Sequence, residues 1–177
     1  GTGTILADDA ALTARDAAGA LLPTQPVPVV VGTRAVPPHA AVRAHPREPI
    51  FLPGPDLRVV LAELYGRGIQ SVFVEGGPTL ASAFIREGLA DELLVYTAPM
   101  LLGGPRGALT DIGVDTITDA HRLCISEVQR VGDDLLIIAS PADAAASRSG
   151  TASAPSPSAP SPSAPSPSEV TPNEGHD

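Results

Sequence analysis

The chain has 177 residues, 43% of them hydrophobic, and a formal net charge of −9. An acidic chain with no basic cluster is a poor match to nucleic acid or to an anionic membrane surface. No apolar run is long enough to span a membrane as a helix and no signal-peptide pattern opens the chain, so the cytoplasm is the expected compartment. Composition divides the chain in two. Residues 1–140 have the apolar periodicity of one folded domain. Residues 141–177 are rich in Ala, Ser and Pro, and Ala-Pro-Ser-Pro-Ser recurs at 154–158, 159–163 and 164–168. Two prolines in every five residues exclude both helix and strand, so this segment is expected to be a disordered tail.

Cys124 is the only cysteine. It excludes an internal disulfide and a multi-cysteine metal site, and a buried structural thiol is expected. His39, His45, His121 and His176 share no ligand spacing, so they are read as surface or loop residues and no metal is implied.

In chain order, residues 1–9 are small, hydroxyl-bearing and Gly-punctuated, then acidic, and suit a short helix. The chain opens on Gly1 and not on Met, as a continuation of an upstream segment would. Asp8 and Asp9 are adjacent, so on a helix they point about 100° apart and are no catalytic dyad by spacing. Arg15 is a candidate phosphate fork, or else a solvated surface residue. Val29, Val30 and Val31 predict a strand that ends at Gly32 and Thr33. Thr33 could bond a ligand there or simply cap the turn. Residues 35–49 read as a loop, and 50–52 as a short strand. Asp56 is set to cap a helix over 56–65, with Leu57, Val60, Leu61 and Leu64 on one face.

Residues 71–80 organise the chain. Val72, Phe73 and Val74 predict a buried strand at 71–74. Gly76 and Gly77 leave room for a ligand against the backbone. Pro78 suits a first helical turn, and apolar spacing predicts a helix over 79–87 that stops at Gly88. Strand, double glycine and helix N-terminus together make an anion cradle, although a tight turn with no ligand would need the same glycines. Neither GxGxxG nor GxxxxGK[ST] is present. A strand at 92–98 follows. The apolar loop around Gly103 and Gly104 could be a flexible turn or the wall of a site. Residues 122–130 and 135–139 predict a terminal antiparallel hairpin. The fold class is therefore α/β, a mixed sheet flanked by helices with an antiparallel edge.

Taken together, residues 3–9, 12–15, 74–81, 90–93, 98–104 and 131–135 resemble the reductase domain of the bifunctional riboflavin-biosynthesis deaminase–reductase family, in the family's order. The resemblance covers nearly all of residues 1–140. It implies a dihydrofolate-reductase-like fold and NADPH-dependent reduction of 5-amino-6-(5-phosphoribosylamino)uracil, a phosphorylated pyrimidine. The ribosyl group would become ribityl by hydride transfer to C1′, through a ring-opened imine and without metal or flavin.

Carried over residue by residue, cofactor contacts fall on Thr4, Asp8 and Thr33, and on the phosphate turn and helix: Gly76, Gly77, Pro78, Thr79, Leu80, Ala81, Ser82 and Ala83. Substrate contacts fall on Leu12, Arg15 and Glu75, with Arg15 as the phosphate fork. Asp8 and Glu75 are the candidates for a part in the chemistry. Asp8 would orient the nicotinamide or stabilise an imine, and Glu75 would sit where cofactor and substrate meet. The fold class also implies a cis peptide between Gly76 and Gly77, and homodimers are common among relatives.

The family usually has Pro after the Asp pair, whereas Ala10 and Ala11 stand here. Its first strand, loop and helix, and the zinc-binding deaminase domain, would lie upstream of Gly1. Two other readings remain open. One is a reductase of the same fold acting on another pterin- or pyrimidine-like substrate. The other is a remnant that keeps the fold without the chemistry.

Overall fold

The computed structural model describes residues 1–103 and 107–142. The Ala/Ser/Pro repeats, His176 and Gly104 lie outside the described residues. Helix α1 (Thr2–Asp8) opens the chain and ends at Asp9, which takes the left-handed conformation at φ 45°. The Asp9 carboxylate accepts the Ala41 N–H at 2.8 Å, which ties the end of α1 to the loop after β1.

Strands β1 (Val29–Val31) and β2 (Ile50–Leu52) pair in parallel, Val30 opposite Phe51. Successive side chains of a strand point to opposite faces. Val30 packs with Ile5, Ala40 and Val42 on the α1 side. Val29 and Val31 pack against Leu52, Val60 and Leu64 on the other side. Burial on both faces explains why β1 is an unbroken apolar run.

Helix α2 (Leu57–Gly66) supplies Val60 and Leu64 to that second cluster. Its N-cap is Asp56, whose carboxylate accepts the Arg58 and Val59 N–H groups. Helix α3 (Pro78–Arg86) starts with Gly77 as N-cap and Pro78 in its first turn, and buries Ser82 and Phe84.

The second sheet is antiparallel, in the order β3–β5–β4. It consists of β3 (Leu93–Thr97), β4 (Leu123–Val131) and β5 (Asp134–Pro141). The hairpin turns at Gly132, φ +64°, a conformation that suits glycine, with Val131 opposite Asp134. A register shift between Ile125 and Glu127 leaves Ser126 without a partner in the ladder. The Ser126 hydroxyl donates instead to Ile138 O at 3.1 Å. The alternation of faces along β4 is therefore broken at Ser126.

Four expectations are corrected. Residues 71–74 form no regular secondary structure and belong to neither sheet. Strand state depends on a ladder partner, and no described strand pairs with them. Val72 and Phe73 are consequently exposed. Cys124 is exposed and not buried, because β4 is an outer strand of its sheet and is exposed along its length. His45 lies in a loop as expected but is buried and not on the surface: the Arg47 N–H donates to its Nδ1 at 2.9 Å, while Nε2 has no partner among the described residues. No described peptide bond is cis. Gly77, at φ −44° and ψ 160°, enters α3 in an ordinary extended conformation, so the turn is made without one.

Candidate functional site

The carboxyl end of the 71–74 segment, the start of α3 and the first turn of α1 converge. Gly77 N–H donates to Thr4 Oγ1 at 3.3 Å, which joins α1 to the double-glycine turn. A Cβ added at Gly77 would lie 2.9 Å from that oxygen. One added at Gly76 would lie 3.1 Å from Val74 Cγ1 and 3.5 Å from Ala81 N. Space, more than φ, favours glycine here, more strongly at Gly77 than at Gly76, where Val74 Cγ1 would have to give by a few tenths of an ångström.

The Leu80 and Ala81 N–H groups bond to Gly77 O. Among the described residues, the Gly76 and Thr79 N–H groups have no backbone partner. Two free donors at a helix start, in a turn without side chains, suit an anionic oxygen. Beside the cradle lies a cleft of about 490 Å³, lined among others by Gly1, Thr4, Leu12, Glu75, Gly76 and Leu80. Its floor is apolar, formed by Val29, Val31, Leu64 and Phe84.

Leu12 holds φ +54°, unusual for a bulky side chain, and packs on the cluster around Ile5 and Val30. Asp8 is the last residue of α1 and is exposed, as is Glu75. Arg15 braces its own loop: Nε donates to Thr13 Oγ1 at 3.1 Å and Nη1 to Gly19 O at 2.7 Å. It does not line the cleft. Its remaining guanidinium donors are free to meet a further acceptor. Ser82 is buried in α3, and its Oγ accepts the Thr110 N–H at 2.8 Å, so it ties down the 110 loop. Pro78 and Thr79 are exposed at the helix entry, and Ala81 and Ala83 are half-buried.

Thr33 lies elsewhere. It lines a second cavity of about 310 Å³ at the carboxyl ends of β1 and β2, with Thr2, Gly32, Arg34, Arg43 and Phe51. The two cavities share Val30, and α1 contributes Thr4 to one and Thr2 to the other. Sequence reasoning did not single out Arg34, Arg43 or Phe51. Arg34 follows Thr33 at a strand end, which was a usable signal, but Arg43 and Phe51 reach the cavity only through the fold. Among the described residues, no group of His, Cys, Asp or Glu is placed to hold a metal ion.

A family model described as the RibD C-terminal domain matches residues 1–137. The riboflavin biosynthesis protein RibD of Mycobacterium tuberculosis (strain H37Rv) is 49% identical over 137 residues, which cover 77% of this chain and 40% of that protein. The 2,5-diamino-6-ribosylamino-4(3H)-pyrimidinone 5′-phosphate reductase of Methanothermobacter thermautotrophicus is 35% identical over 117 residues, 62% of this chain and 54% of that one. Among solved structures, form 1 of Acinetobacter baumannii RibD aligns with a TM-score of 0.68 and 26% identity, over 79% of this chain and 45% of that chain. The chain therefore spans less than half the length of the RibD relatives described here.

Proposed function

This chain belongs to the RibD C-terminal domain family, and on that footing we propose that it is an NADPH-dependent reductase of a ribosylaminopyrimidine phosphate in riboflavin biosynthesis. The substrate is 5-amino-6-(5-phosphoribosylamino)uracil, and its ribosyl group is reduced to ribityl. The observation that carries the reading is the double-glycine turn at the start of α3, braced by Thr4 and open to the cleft that Leu12 and Glu75 line. The related archaeal protein, named as a reductase of a closely similar pyrimidine, supports the reaction class.

The glycines leave no Cβ in the turn, and the free Gly76 and Thr79 N–H groups suit a pyrophosphate, so the residues present fit the cofactor. When bound, NADPH supplies the hydride. The protein's own groups bind and orient. The α3 N-terminus and its N–H groups hold the pyrophosphate. Leu12 gives the pyrimidine an apolar wall. The Arg15 donors left over from its loop contacts take the ribose phosphate. Glu75 lines the cleft and Asp8 ends α1 outside its lining, and these two carboxylates are assigned the role of stabilising positive charge on the ring-opened imine of the substrate. The imine nitrogen takes a proton from water, which is the source of that positive charge, and hydride addition at C1′ would then give the neutral amine. The enzyme works in the cytoplasm. Among the described residues no helix is long and apolar enough to cross a membrane.

The test is a turnover assay with NADPH and each of two substrates, the uracil and the 2,5-diaminopyrimidinone. Formation of the ribitylamino product from the uracil, lowered about a hundredfold or more in Glu75→Gln, is the expected result. Product from the diaminopyrimidinone alone would move the protein to the chemistry of its archaeal relative. Binding of NADPH without any product would leave only the remnant reading.

A further inference from the structure

Two aspartates stand at the end of α1, and the chemistry above uses Asp8 alone. Asp9 is exposed and does not line the cleft. Its backbone sets it apart. Among the described residues, Asp9 at φ 45° and Leu12 at φ 54° are the only two other than glycine with positive φ. Asp visits the left-handed region readily, because its short side chain can bond locally. Leu has no such compensation, so Leu12 is held in a conformation that it would leave if released. Two contacts hold the turn over residues 9–12, and both reach the same support. The Asp9 carboxylate accepts the Ala41 N–H at 2.8 Å. Ala41 opens a 3₁₀ turn, Ala41–Ala44, whose own N-cap Ala40 offers no side-chain acceptor, so Asp9 supplies the cap from another segment. Ala40 and Val42, on either side of that N–H, are buried in the cluster with Ile5 and Val30, and Leu12 packs against this cluster.

The turn is thus pinned by a charge-assisted bond at its start and by apolar packing at its end. Ala10 and Ala11, between the two, have no ring to restrict φ. Ala10 and Leu12 line the cleft. We infer that Asp9 is a positioning residue: by capping the 3₁₀ turn at Ala41, its carboxylate sets the 9–12 turn and so holds Leu12 in the cleft as the apolar wall for the pyrimidine. The inference rests on the reading of Leu12 as a substrate contact and adds to it a residue that acts through Leu12. Loss of the bond lets the turn relax toward negative φ, which redirects the Leu12 side chain. The double-glycine turn is braced separately, by Thr4, and keeps its hold on the cofactor.

The experiment measures turnover of 5-amino-6-(5-phosphoribosylamino)uracil with NADPH, and NADPH affinity by calorimetry, folding being checked by circular dichroism. It compares the full-length native protein with Asp9→Asn, Asp9→Gly, Leu12→Ala and the double variant of Asp9→Gly with Leu12→Ala. Asn keeps an acceptor oxygen and tolerates the left-handed region, whereas Gly keeps the backbone freedom and loses the acceptor. Asp9→Gly is expected to raise KM for the uracil by about fivefold or more, with kcat and NADPH affinity within about twofold of native. Asp9→Asn restores KM to within about twofold of native. In the double variant KM matches that of Leu12→Ala alone, because Asp9 acts through Leu12. A native KM in Asp9→Gly, a rise that adds in full to that of Leu12→Ala, or an equal loss of NADPH affinity overturns the inference and leaves the reaction reading intact. Absence of turnover by the folded native protein overturns that reading, and the inference with it.

Discussion

Val29–Val31 and residues 72–74 are both short apolar runs of β-forming residues that lead into a glycine turn. The first is laddered to β2, and Val30 is 1% exposed. The second pairs with no described strand, and Phe73 is 67% exposed. The difference lies in their neighbours. Val30 meets Ile5, Ala40 and Val42, from α1 and from the stretch after β1, while β2 satisfies the backbone of its strand. Residues 72–74 line the cleft, and Val72 and Phe73 are exposed. β-propensity measures how well a residue suits a pleated, half-buried surface, and it needs that surface to be there. The consequence falls on the site. The double-glycine turn is held by α3 and by the Thr4 contact on one side, and by no ladder on the other.

The largest effect that would sharpen this contrast is on stability. Val30→Asp places a charge without a partner in the core and is expected to cost about 4 kcal/mol, a large part of the stability of a domain this size. Phe73→Asp is expected to change stability by less than about 0.5 kcal/mol, as exposed substitutions do. Urea unfolding followed by circular dichroism measures both. Similar losses would break the contrast. A smaller effect is expected in hydrogen exchange. Gly32 N–H donates to Leu52 O at 3.0 Å and Ile50 N–H to Pro28 O at 2.9 Å. Both amides should exchange about a hundredfold more slowly than those of Val72, Phe73 and Val74, which should be near the unprotected rate.

What could be read from the sequence follows the same division. Asp56 as N-cap of α2, Pro78 in the first turn of α3 and Gly132 at the hairpin are local signals, and each holds in the fold. The double-glycine turn into α3 was legible for the same reason, since turn chemistry and helix entry are adjacent in the sequence. Whether residues 71–74 ladder, whether Cys124 is covered and whether His45 turns inward depend on what packs beside them, and none of that is local. The Arg34, Arg43 and Phe51 cavity is the clearest case. Its members come from a strand end, a 3₁₀ turn and a neighbouring strand, which only the parallel pairing of β1 with β2 brings together.

If the start of α3 binds a dinucleotide because Gly77 leaves the turn open, filling that space must weaken the cofactor's hold. Titration of NADPH into the native protein and into Gly77→Val, with circular dichroism on both, reads this out. A valine side chain would begin 2.9 Å from Thr4 Oγ1 and crowd the cradle. Saturable binding by the native protein is expected, with binding weaker by about tenfold or more in a folded Gly77→Val. Equal binding by two folded proteins would contradict the cradle, because the cofactor would then be held somewhere other than the double-glycine turn.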